Sequence, residues 1–205
     1  MPGRLASILA QGPERLFLTL PERYARFPDW DGSLPDLPEG VTVLRGPDHG
    51  PATKVIEAAR HSDRVIICDD DCDYGAGWLD AFRRAAAEYP DAAIAGSVFD
   101  SARLGVQPGG RVVQGFAGVL LQCKWLLPLP PSPLHWVDDI WLSASFAVHR
   151  VPVIGIEPAR LTLAAHEAPA ALQAACFGGR TRAELNAEAV RLFAETYGIW
   201  SAPAV

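Results

Sequence analysis

No run of about 18 consecutive apolar residues occurs anywhere in this 205-residue chain, which excludes a conventional membrane-spanning helix. Runs of lysine and arginine are missing too. With a formal net charge of −6, the chain carries no basic footprint for nucleic acid. Cysteine is scarce: Cys68, Cys72, Cys123 and Cys176 fit neither a zinc knuckle nor a redox pair by their spacing. They read as free thiols in a reducing compartment, and a cytoplasmic location is expected. The first residues hold a single arginine and a short apolar stretch cut by Gly12 and Pro13, a poor secretory signal. Neither an internal repeat nor a long low-complexity segment is present. The 49% hydrophobic and 20% charged content is ordinary for a globular protein, and the length suffices for one domain with a sizeable core. Acidity does not rule out an anionic substrate, because a bound cation can supply the local positive charge.

Periodicity along the chain predicts alternating helices and strands. A short helix is expected over Leu5–Gln11, then a strand over Arg15–Leu20. An irregular connection follows through the prolines and glycines of 21–40, and a second strand over Val41–Arg45. Pro51–His61 reads as a helix, Arg64–Cys68 as a buried-type strand, Trp78–Tyr89 as an amphipathic helix, and Ala92–Phe99 as another strand. Helices between apolar strands are how parallel α/β sheets are built. Beyond residue 100 a turn or hairpin is expected near Gly105–Gly110, with a glycine-flanked strand over Gly115–Leu121. A proline-rich break covers 128–133. Helix Val137–His149, a short strand Val151–Ile156, an alanine-rich stretch at 160–176 and a final helix Glu184–Tyr197 complete the reading.

Three segments carry chemistry. The strand Val65–Cys68 runs into Asp69-Asp70-Asp71-Cys72-Asp73, four carboxylates within five residues. Like charges this close repel unless something positive joins them. The carboxyl end of a strand is also where open α/β sheets place ligands. Carboxylate oxygens suit Mg²⁺ or Mn²⁺, which commonly bridge to phosphates. A solvated acidic loop is the blander reading. An EF-hand is rejected, because Tyr74 stands where glycine is required and a strand precedes the loop. The second segment, His135 to Trp141, contains Asp138 and Asp139. These acids either complement a helix dipole or present a carboxylate into a cleft. The third, Gly50-Pro51-Ala52-Thr53-Lys54, is a helix start with a lysine one turn in, which suits an anion.

In this order the segments, together with Gly115-x-x-Gly118-Val-Leu, resemble bacterial GT-A-fold glycosyltransferases of the family 2-like kind over roughly residues 5 to 155. The resemblance implies a single α/β domain over 1–205, a mostly parallel sheet flanked by helices. Its donor-binding half covers about 1–100 and its acceptor and catalytic half about 101–205. It implies transfer of a sugar from a nucleotide-diphosphate donor to a carbohydrate or glycolipid acceptor, with Mn²⁺ or Mg²⁺. By the same resemblance the Asp-x-Asp signature falls on Asp69-Asp70-Asp71: Asp69 meets the ribose and Asp71 the metal. Lys54 lies by the nucleotide and diphosphate, Gly115 and Gly118 lie beside the donor sugar and acceptor, and Asp138-Asp139 supply the base from Asp139. His166 is a candidate third metal ligand. No nucleic acid or membrane span is expected, and a homo-oligomer is left open.

Two rivals stand beside this reading. One is a Mg²⁺-dependent phosphatase with Asp69 as nucleophile and Asp71 as acid/base. The other is a degenerate transferase domain that only binds. The family's first strand, which lines the nucleobase, is missing before Leu5–Gln11. Either another segment or a partner chain fills the gap, or the gene start lies upstream of Met1; the second is the expectation. As written, the chain is expected to bind nucleotide weakly and turn over poorly.

Overall fold

Apolar residues at alternate positions make β1 (Leu16–Pro21) and β2 (Val41–Gly46), which pair in parallel with Leu16 opposite Val41. The computed structural model describes residues 2–34, 36–165, 176, 177 and 179–200. Helix α1 (Pro2–Leu9) precedes β1 and lays Leu5 on Leu18 and Leu20. After β2, a single 3₁₀ turn at Gly50–Ala52 leads into α2 (Thr53–Ala59), whose buried Val55 and Ala58 face the sheets. Helix α2 then delivers the chain to β3 (Arg64–Ile67).

Past β3 the acidic segment bends back as β4 (Cys72–Tyr74), a strand that the sequence pattern did not indicate. Helix α3 (Trp78–Glu88) buries Trp78, Leu79, Phe82 and Ala85 on one face, as its apolar stripe requires. The expected strand over Ala92–Phe99 is two: β5 (Ala93–Ala95) and β6 (Val98–Asp100). The break comes where the Gly96 N–H turns to donate to Gly118 O at 2.9 Å. Strand β6 forms an antiparallel hairpin with β7 (Arg111–Val113), around the glycine and proline turn.

β8 (Val119–Gln122) lies at the middle of the four-stranded sheet β3-β8-β5-β9, where β9 is Val153–Gly155. Helix α4 (Asp138–Val148) is buried on nearly every side. Its Ser143 and Ser145 hydroxyls accept from the Val113 and Leu127 amides at 3.0 and 3.1 Å, so its polar groups are satisfied within the core. The remaining elements are α5 (Glu157–Leu161), β10 (Leu163–Ala165) against β4, the two-residue pair β11 (Cys176–Phe177) and β12 (Arg180–Thr181), and α6 (Arg182–Tyr197). Helix α6 begins two residues earlier than its apolar pattern suggests. The reason is a reciprocal cap: Thr181 Oγ1 accepts from the Glu184 N–H, and the Glu184 carboxylate accepts from the Thr181 N–H.

The expected α/β class is present. Strand pairing within it is mixed: β1/β2 and β5/β9 are parallel, while β3/β8 and β5/β8 are antiparallel. No helix among the described residues is long and apolar enough to cross a membrane. The glycine that ends the 3₁₀ turn Gly115–Ala117 shows how tightly β8 is set. Gly118 has φ +95°, and a Cβ there would lie 2.7 Å from the Trp78 ring and 2.8 Å from Phe82. Gly118→Ala should therefore cost about 2 kcal/mol or more from strain and overpacking together. Urea unfolding checks this, and an unchanged midpoint would refute the packing argument.

Candidate functional site

Ile67 is the last buried residue of β3, and beyond it the chain must turn four carboxylates toward solvent or toward a cation. Tyr74 fixes the turn. The Asp69 N–H donates to Tyr74 Oη at 3.0 Å, and that hydroxyl lies 2.8 Å from the carbonyl oxygens of both Asp69 and Phe116, to one of which it donates. The acidic loop is thereby tied to the loop that precedes β8. Burial, followed by the neighbouring Cys68 and Asp69, raises the Tyr74 phenol far above its ordinary pKa, so the hydroxyl stays a donor.

Lys54 comes from the first turn of α2. Its Nζ contacts Asp69 Oδ1 and lies 3.1 Å from Asp138 Oδ2. It is one of only two lysines, with Lys124, in an otherwise arginine-bearing chain. Its compact ammonium, with three rotatable donors, reaches both carboxylates. The Asp138 side chain is 3% exposed and that of Lys54 18%. Burial alone would depress the Lys54 pKa, but Asp138, Asp69 and Asp139 outweigh it and hold the ammonium above the usual lysine value.

Asp138 and Asp139 open α4, where the helix dipole favours negative charge. Asp139 Oδ1 accepts from the Gly115 N–H at 2.8 Å, and Arg182 Nη2 lies 3.7 Å from Oδ2. Burial first, then the charge of Asp138, pushes the Asp139 carboxyl up to about 7; Lys54 and Arg182 oppose this in part. Gly115 permits the close approach. A Cβ at that position would sit 3.2 Å from Lys54 Nζ and 3.3 Å from Asp139 Oδ1.

The expected site residues divide accordingly. Lys54, Asp69, Gly115, Asp138 and Asp139 meet at one point, although they come from four separate segments. Asp71 is half-buried on the adjacent turn, its carboxyl raised by burial and then by Asp69 and Asp70. Asp70 is exposed, and its carbonyl accepts from Arg4 Nη1 at 2.8 Å. Gly118 faces Trp78 and Phe82 in the core. His166 lies outside the described residues. Cys68 and Cys72 flank the acids, but burial and then Asp69 and Asp71 respectively push each up to about 12, so both remain thiols near neutral pH.

Three participants escaped the sequence reading. Tyr74 looked like the residue that merely spoils a calcium loop. Arg4 sits in a helix with no visible chemistry. Arg182 lies beyond the part of the chain with a recognisable pattern; the Thr181–Glu184 capping spacing was the one signal that fixes where α6, and hence Arg182, begins.

These groups line one end of a cavity of about 1720 Å³ that also holds Tyr24, Phe116, Arg160 and Asn186 on its walls. Among the described residues, no three His, Cys, Asp or Glu groups gather so as to hold a metal ion by themselves. Asp71 nonetheless faces like charge from Asp69 and Asp70. That surplus fits a divalent ion held by one or two carboxylates and completed by substrate oxygens and water, and does not fit a cage of protein ligands. Comparison with protein families gives no match for the chain, and comparison with curated proteins gives none either.

Removing the ammonium isolates its test. Lys54→Met leaves Asp138 buried without its counter-charge and should cost about 3 kcal/mol at pH 8. In that variant Asp139, whose raised carboxyl Lys54 partly holds down, rises further, so stability is recovered as pH falls and this acid takes up its proton. Denaturation at pH 8 and pH 5 checks both signs; equal stability of variant and parent at pH 8 would remove Lys54 from its organising role.

Proposed function

We propose that the protein is a metal-dependent glycosyltransferase with a GT-A-type, mostly parallel arrangement of its donor-binding strands. In this reading it moves a sugar from a nucleotide-diphosphate donor to an acceptor hydroxyl. The observation that carries the reading is the meeting of Lys54, Asp69, Asp138, Asp139 and Gly115 at the carboxyl end of β3. Those are the segments whose order in the chain carries the family resemblance.

Lys54 is already engaged by Asp69 and Asp138, so an incoming diphosphate meets an amine whose charge is largely taken. Asp71, with Asp69 beside it, would hold the divalent cation. When bound, that ion supplies charge to offset what develops on the departing diphosphate. The chain's own groups handle the proton. Asp139 accepts it from the acceptor hydroxyl, and a carboxyl raised to about 7 is well matched to a base that works near neutral pH. The Gly115 N–H fixes Oδ1 and Arg182 stands by Oδ2, which orients the carboxylate. Lys54 keeps Asp138 and Asp69 at their posts. Phe116 and Arg160, stacked at 5.2 Å, line the same cavity.

Thermal shift with nucleoside diphosphates, with and without Mn²⁺, reads donor binding apart from turnover. One nucleotide should stabilise the protein selectively in the presence of Mn²⁺, and Asp71→Ala should abolish that shift. Asp139→Asn should keep the shift and lose transfer by about a hundredfold or more. Nucleotide affinity unchanged by Asp71→Ala, or near-parental transfer by Asp139→Asn, would overturn the assignment of that residue.

The same carboxyl makes a separate prediction for the free protein. The Asp139 pKa is raised in the folded state, so the unfolded chain releases this proton first and the group's effect on stability worsens as pH rises from about 4 to about 7. An asparagine imitates the protonated form at every pH. Asp139→Asn should therefore melt higher than the parent at pH 8, with the gain shrinking toward pH 4; a gain independent of pH would show that the carboxyl does not titrate in this range.

A further inference from the structure

Arg160 and Arg182 both line the cavity, yet neither guanidinium makes a hydrogen bond among the described residues. The Arg182 side chain is only 20% exposed, and its nearest acid, Asp139 Oδ2, lies 3.7 Å away, beyond hydrogen-bond reach. The Arg160 guanidinium lies over the Phe116 ring and meets no carboxylate among the described residues. Other arginines on the same cavity are spent: Arg4, Arg15 and Arg83 each donate to backbone carbonyls. A guanidinium carries five donors in a rigid plane. Two of them left without hydrogen-bond acceptors call for acceptors from outside the chain.

Two amides stand with them. Asn186 follows Arg182 by four residues, one turn along the same face of α6, and lines the cavity with its side-chain amide unbonded among the described residues. Ser97 Oγ donates to Gln114 Oε1 at 2.8 Å, which fixes that amide and leaves its Nε2 without an acceptor among the described residues. The chain ties these groups to one point. Gln114 and Phe116 flank Gly115, whose N–H donates to Asp139 Oδ1, and Arg182 stands at Oδ2. Phe116 is held in turn by Tyr74, whose Oη lies 2.8 Å from its carbonyl oxygen. A guanidinium over a ring face keeps its N–H edge free for a second partner in its own plane. The cavity is also basic in an acidic chain: eight Arg and Lys line it against six Asp and Glu, whereas the chain holds 18 and 24.

We propose that Arg160 and Arg182, with Gln114 and Asn186, form a subsite for a negatively charged group on the acceptor, which is therefore an acidic saccharide bearing a carboxylate or a phosphate. Either anion takes parallel hydrogen bonds from a guanidinium fork, each about twice as strong as a bond to a neutral hydroxyl. A neutral sugar would leave the Arg160 charge unanswered. Asp138 and Asp139 would repel an anion brought this close, and the two guanidiniums offset that repulsion. Position separates this anion from the donor's. In the transferase reading the diphosphate goes to the cation at Asp71, whereas both arginines are linked to Asp139, and a base must touch the acceptor. That the acidic sugar is the acceptor rests on the transferase reading, but its binding is measurable without turnover.

The test titrates the full chain by saturation-transfer NMR with methyl glucuronide, glucose-6-phosphate and, as the neutral control, methyl glucoside. Each titration is run without nucleotide or metal and again with uridine diphosphate and Mn²⁺. At least one acidic sugar should bind about tenfold or more tightly than the glucoside under both conditions. Which of the two binds tells carboxylate from phosphate. Arg160 is exposed, so Arg160→Gln should melt with the parent; it should erase the preference, and Arg160→Lys should restore part of it. No preference for either acidic sugar, including no binding at all, would overturn the proposal. So would a preference that survives Arg160→Gln, or one that uridine diphosphate with Mn²⁺ abolishes. Loss in Arg160→Gln of whatever Mn²⁺-dependent nucleotide shift the parent shows would assign the arginine to the diphosphate and overturn it equally. A preference lost in Arg160→Gln while the nucleotide screen stays silent would leave the anion subsite standing and the transferase reading without support; a positive screen with no preference would do the reverse.

Discussion

The Lys54 ammonium between Asp69 and Asp138 is the contact on which the rest of the site depends. Without it, carboxylates from the end of β3 and from the start of α4 would face one another across a space largely closed to water. A buried ion pair contributes little net stability, because desolvation consumes most of the Coulombic gain. What it fixes is position. α2 carries the lysine, β3 leads into the first acid and α4 begins with the second, so three elements are held in one arrangement. Asp139, next in sequence to Asp138, inherits its environment from that arrangement. Its carboxyl is raised because it is buried beside a second acid, and is kept from rising further by the same lysine.

Behind the ion pair stands a layer of hydrogen bonds that makes it rigid. Tyr74 reaches from β4 to both Asp69 and Phe116, and the Trp78 Nε1–H donates to Ala117 O at 3.0 Å. The loop 115–118 is therefore clamped from α3 and β4 while its Gly115 amide points at Asp139. α4 is pinned in turn through Ser143, Ser145 and the Trp141 Nε1–H, which donates to Leu127 O at 3.1 Å. Each link is a polar group buried in an apolar layer, where an unmade hydrogen bond is costly and a made one is specific.

The parts of this arrangement that sequence could reveal are those written in local pattern. The apolar stripe of α3, the alternation in β1 and β2 and the acidic end of β3 all follow from side-chain period and from strand-end chemistry. The parts it hid are long-range. Nothing local to Cys72-Asp73-Tyr74 marks a strand, because β4 exists only through its pairing with β10. The break between β5 and β6 arises from a contact with Gly118, more than twenty residues away. Strand direction was inferred from helix-strand alternation, yet β8 enters antiparallel between β3 and β5 after a hairpin excursion that periodicity cannot orient. Lys54 was readable as a helix-start lysine suited to an anion. That its charge is spent on two carboxylates was not, since Asp138 is brought to it only by the packing of α4.

The cavity joins two kinds of chemistry along one strand. Along β3 its walls are largely apolar side chains, with Arg15 and Arg64 at the amino end; past the carboxyl end they are acids, with Lys54 and Arg182 among them. Tyr24 and the segment after β1 form one side of the polar rim, and the acidic loop after β3 forms the other. Among the described residues no strand ladder joins these sides, so their separation is set by how β1 and β3 are spaced. Parallel strands in one continuous sheet lie at a fixed repeat, about 4.8 Å per strand, whereas β1 and β3 are held here through α2, which packs on both. The polar site therefore takes its geometry from α2, which spaces β1 from β3 and carries Lys54.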